Sequence, residues 1–129
     1  MEKVVHNVLF FDAFKAHAEY GKSLLELSLR EAGVLVHVKY DIRHINRYIA
    51  ENDIKSVVLF INDSSHYHHL LPFIALGVKV LVCSSAHGFH HKGLRDLNIP
   101  TLDLGLPKNQ LFKGVRSFLF DKNSSDAVA

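Results

Sequence analysis

Short apolar runs alternate along the chain with segments whose apolar residues recur every three to four positions. The run KVVHNVLFF (3–11) predicts a strand that ends at Asp12. EYGKSLLELSLREAG (19–33) repeats leucine at helical spacing and stops at Gly33, so it predicts a helix with a glycine end signal. VLVHVKY (34–40) is valine-rich and predicts a strand. DIRHINRYIAEND (41–53) places Ile42, Ile45, Tyr48 and Ile49 on one helical face, with Asp41 as candidate N-cap. SVVLFI (56–61) is continuously apolar, as in a strand covered on both faces.

The same alternation continues to the end. SHYHHLLPFIALG (65–77) predicts a short helix that must accommodate Pro72 near its start or kink there. VKVLVCS (78–84) predicts a strand, HHKGLRDLN (90–98) a short helix and IPTLDLG (99–105) a strand. PKNQLFKGVRSFLF (107–120) predicts the last helix, with Pro107 in its first turn and Leu111, Val115, Phe118 and Leu119 facing inward. Five β-α units in strict alternation imply an α/β fold of three layers, a five-stranded parallel sheet with helices on both faces. Residues 1–120 are expected to form one domain, and DKNSSDAVA (121–129) to be a flexible tail or the start of a linker.

Composition narrows the function classes. The chain has 129 residues, 48% of them hydrophobic and 22% charged, which suits one globular domain with a real core. A net charge of +2 is too small to point to nucleic acid or to a membrane surface. The apolar runs are too short for a transmembrane helix, and the N-terminal segment lacks a small-residue cleavage site. Cys83 is the only cysteine, so no disulfide framework forms and a reducing cytoplasm is the expected setting.

In a parallel sheet, ligands bind in the crevice at the carboxyl ends of the strands. The polar residues there are Asp12, Asp41, Asn62, Asp63 and Ser84. With VLFFDAF, LLELSLREAGVLVHVKYD, YIAENDIKSVVLF, LVCSSA and LDLGLPKNQLFKGVRSFL in this order, about 120 residues resemble the receiver domain of bacterial response regulators. The resemblance implies the strand order 2-1-3-4-5. It also implies a chemistry that needs paired acids for Mg²⁺, an aspartate that accepts phosphate and a lysine beside it. This chain departs from that pattern. Ala13 stands at the second acidic position, Phe60 at the acceptor slot (Ile61 or Asn62 with a shift), and Leu104–Gly105 at the lysine-proline pair. Asp12 and the Ser84 hydroxyl remain. The resemblance therefore implies a pseudo-receiver that is not phosphorylated on aspartate.

VVLFINDSSHYHHLLPFIALGVKVLV also resembles part of the NYN/PIN-like nucleases. Asp12, Asp41 and Asp63 would be three of that family's metal-holding acids, with Ser65 at the fourth position and strand order 3-2-1-4-5.

Histidine is the unusual residue type, with ten in the chain. Parallel β-α connections should bring the stretches 66–69 and 87–91 to the same edge. His66, His69, His87 and His90, with Asp63 and even Cys83 nearby, form a candidate set for Zn²⁺ or another divalent metal. The same histidines also suit polar surface, a partner interface or a response to pH. On the last helix, Phe112, Arg116 and Phe120 mark a candidate face for a protein partner or a homodimer. The expected function is a regulatory module acting by protein interaction, with no resident cofactor. The alternatives are a metal-dependent ribonuclease with an incomplete acid set and a histidine-rich metal-binding module.

Overall fold

The computed structural model describes residues 6–12, 16–61, 68–84 and 98–120. Its elements are β1 (His6–Phe11), α1 (Ala16–Glu31), β2 (Val34–Lys39), α2 (Ile45–Glu51), β3 (Ser56–Phe60), α3 (Leu70–Ala75), β4 (Lys79–Ser84), β5 (Thr101–Asp103) and α4 (Lys108–Phe120). The strands form one sheet in the order β2-β1-β3-β4-β5. Every pairing is parallel. This is the order expected from the receiver resemblance. It is not the 3-2-1-4-5 order of the nuclease reading, which the topology overturns.

Alternation along each strand divides the apolar side chains between two cores. Val8, Phe10, Val58, Phe60, Leu81 and Cys83 join Leu25 and Leu29 of α1 and Leu111, Val115, Phe118 and Leu119 of α4. Leu9, Phe11, Val57, Leu59, Ile61, Val80 and Val82 join Ile45 and Ile49 of α2 and Leu70 and Phe73 of α3. The continuous apolar runs of β1, β3 and β4 follow from this, because each of those strands lies inside the sheet with helices over both faces.

Local signals explain where most elements stop. Gly33 has φ 85° and Gly77 φ 75°, a left-handed conformation that costs glycine little, and each ends a helix. Pro72 falls in the first turn of α3, where its missing N–H has no helical partner to lose. The carbonyl of Pro107 accepts the N–H groups of Gln110 and Leu111, both at 3.0 Å, and opens α4. Several boundaries differ from expectation, α1 starting at Ala16 rather than residue 19 among them, and two of the differences change the reading. β5 is three residues long, not seven. The second helix begins at Ile45, and its N-cap is His44 rather than Asp41. Asp41 instead accepts the Arg43 N–H at 2.9 Å, which folds 41–44 into a turn before the helix starts. The expected helix 90–98, apart from Asn98 at its end, and the tail 121–129 lie outside the described residues.

Candidate functional site

The strands carry Asp12, Ile61, Ser84 and Leu104 at or just past their carboxyl ends, so the crevice is built from these positions. Asp12 is fully buried. Its Oδ2 accepts the N–H of Ala18 at 3.3 Å, in the first turn of α1, where unpaired N–H groups favour a carboxylate. Asp12 therefore serves the helix start, whatever else it does.

Phe60 and Ile61, two of the residues expected at the acceptor slot, are both apolar and buried. Phe60 is 3% exposed, and its ring packs edge-on against Phe10 in the α1–α4 core. Gly21 of α1 makes the room: a Cβ there would stand 2.9 Å from Phe60 Cζ. Ile61 is fully buried on the opposite face. At the lysine slot, Leu104 is buried in the same core as Phe60, and its N–H donates to the Ser84 carbonyl at 3.0 Å. Ser84 itself is buried at the end of β4. Of these four positions, Asp12 supplies a carboxylate and Ser84 a hydroxyl, and Ile61 and Leu104 supply hydrocarbon.

Asp41 lies beyond the end of β2, the outermost strand, and is exposed. Both of its oxygens are taken by Arg43: Nε donates at 3.1 and 2.9 Å and Nη2 at 2.5 Å. These hydrogen bonds hold the Asp41 carboxyl at about 2, well below the usual carboxylate range. A carboxylate so engaged is not a free metal ligand, a second point against the nuclease reading.

The histidine set is only partly placed. His66, His87 and His90 lie outside the described residues, as do Ala13, Asn62 and Asp63. His69 is half-buried, with its ring 4.0 Å from that of His68 and 5.7 Å from that of Phe11 (centroid to centroid). β3 and β4 are direct neighbours, Phe60 opposite Cys83, so the chain leaves both strands side by side. Cys83 takes no part in such a site: it is buried in the α1–α4 core, and desolvation pushes its thiol up to about 12. Among the described residues, no group of three or more His, Cys, Asp or Glu is arranged to hold a metal.

On α4, Arg116 and Phe120 are exposed, and with Lys113 and Ser117 they line a shallow hollow of about 340 Å³. Phe112 is turned partly into the core, so it contributes less to this face than its spacing suggests. The ring of His6 lies 5.2 Å from that of Phe120.

A further cluster has no counterpart among the expected site residues. Nδ1 of His37 lies 2.6 Å from the Tyr48 hydroxyl, and Nε2 lies 3.1 Å from Asn7 Oδ1. A neutral ring protonated on Nε2 satisfies both, accepting from tyrosine and donating to asparagine. Burial, then Lys22 and Lys39, push the His37 pKa down, which favours that neutral form. In the sequence, the only hint is that His37 falls on the same strand face as Leu35 and Lys39.

No protein-family model and no curated protein matches this sequence. Solved structures do match. A Burkholderia pseudomallei protein named as pilus assembly-related is 12% identical, with a TM-score of 0.67 over 92% of both chains. A response regulator from Desulfuromonas acetoxidans is 11% identical, with a TM-score of 0.63 over 88% of this chain and 96% of its own. The receiver domain of a Francisella response regulator is 19% identical, with a TM-score of 0.60 over the same shares. The chain has a receiver-like fold. At these identities the likeness concerns the fold alone. No helix among the described residues is long and apolar enough to cross a membrane.

Proposed function

We propose that this chain is a non-catalytic regulatory module of the pseudo-receiver kind, acting in the cytoplasm by binding a protein partner or a second copy of itself. The observation that carries this reading is the burial of Phe60 against Phe10, where the receiver chemistry would need an exposed aspartate. The buried Leu104 at the lysine slot and the engagement of Asp12 by α1 support it. The exposed Arg116 and Phe120 of α4 are the proposed contact face. The test is to incubate the full chain with acetyl phosphate and Mg²⁺ and weigh it intact. The expected result is an unchanged mass. A stoichiometric, hydroxylamine-labile phosphate would overturn the reading.

A further inference from the structure

The outer edge of the sheet carries a cavity of about 530 Å³, formed by β2, α2 and the turn between them. Its charged lining is Lys39, Asp41, Arg43, Arg47 and Glu51, with His44 beside them. Three cations therefore face two carboxylates. One pair is already matched, because Asp41 and Arg43 satisfy each other. Lys39 and Arg47 form no ion pair with any described residue, so two cationic residues line one cavity with Glu51 as the carboxylate left to oppose them.

The aromatic wall of the cavity is held in place. Tyr48 is fixed at its hydroxyl by His37, which Asn7 anchors in turn, and Lys39 Nζ lies 4.3 Å from the Tyr48 ring centroid. His44 adopts φ 61°, a left-handed backbone uncommon outside glycine and asparagine, at the lip of the same cavity. A wall tied across three elements does not have to be ordered when a ligand arrives.

We propose that this cavity binds a small organic phosphate of nucleotide size, with the phosphate on Lys39 and Arg47 and a hydrogen-bond donor of the ligand on Glu51. Arginine offers a planar fork that matches phosphate oxygens, and lysine adds a point charge. The volume lies within the range of small-molecule sites and exceeds what a bare anion fills. Glu51 would repel a second anionic group but accept an N–H or O–H from a base or sugar. This site lies past the carboxyl end of β2, shares none of Asp12, Ile61, Ser84 and Leu104, and does not depend on the regulatory reading.

The test is a titration of the isotope-labelled full chain with 5′-AMP, 5′-GMP and inorganic phosphate, followed by backbone amide shifts. Saturable shifts from a nucleotide, confined to the 39–51 region, are expected. Lys39→Ala and Arg47→Ala should each weaken binding about tenfold, the loss of one charge-assisted contact. Asp41→Asn should strengthen it, because it removes a negative charge and frees Arg43. Lys113→Ala, on α4, should change nothing. No saturable nucleotide binding at millimolar concentration would overturn the proposal. So would shifts elsewhere on the protein, equal affinity in all variants, or inorganic phosphate binding as tightly as the nucleotides.

Discussion

The ring of Phe60 stands edge-on to that of Phe10, with centroids 5.6 Å apart and an interplanar angle of 61°. This contact buries the residue that the gapless reading of the receiver resemblance sets at the phosphate-acceptor slot. Phe60→Asp should therefore not restore a receiver. It would place a carboxylate against Phe10 in the apolar α1–α4 core, at a cost of about 3 kcal/mol or more. Urea unfolding of the variant measures this. Wild-type stability would mean that the ring does not sit in the core.

Gly21 and Gly114 offer a paired test of the same core. A Cβ at Gly21 meets Phe60 Cζ at 2.9 Å, the edge of a rigid ring already held by Phe10. A Cβ at Gly114 meets Leu102 Cδ1 at 2.7 Å, the end of a flexible and only partly buried side chain. Alanine gains up to about 1 kcal/mol of helix propensity at both sites. Gly21→Ala should still destabilise by about 1–2 kcal/mol, since overpacking a filled core outweighs that gain. Gly114→Ala should fall within about 1 kcal/mol of wild type. The difference between their denaturant midpoints is the readout, and the reverse order would refute this packing.

His37 sets a pH dependence with a definite sign. Burial, with Lys22 and Lys39 nearby, holds its pKa in the folded protein below the ordinary imidazole value of 6.5. The unfolded chain therefore takes up a proton more readily, and the His37 contribution is complete above about pH 6.5 and lost as pH falls below it. The groups facing it are Tyr48 from α2, Asn7 from β1, Lys39 from β2 and Lys22 from α1. Urea midpoints between pH 7.5 and 5.5 should fall less steeply in His37→Asn than in wild type, the other histidines being common to both. Equal slopes would show that His37 is not desolvated.

The hydrophobic pattern alone determined the class of this fold. Runs such as SVVLFI and VKVLVCS specify strands covered on both faces, and the recurrence of Leu111, Val115, Phe118 and Leu119 specifies the buried side of α4. These signals are local: a period of 2 or 3.6 is written within one element. The receiver resemblance added the strand order. That Phe60 and Leu104 stand where the resemblance would look for an aspartate and a lysine is likewise read from the sequence alone. What only the tertiary structure decided are relations between distant positions. Asp41 was expected to cap a helix, but Arg43 captures both its oxygens and delays that helix to Ile45. Cys83 was a conceivable metal ligand, but strand parity turns it into the core. His37 meets Asn7 and Tyr48 only because β2 lies beside β1 with α2 packed over that face, and the cavity beside them follows from the same docking. Side-chain partners across elements depend on register and docking, which no local periodicity encodes.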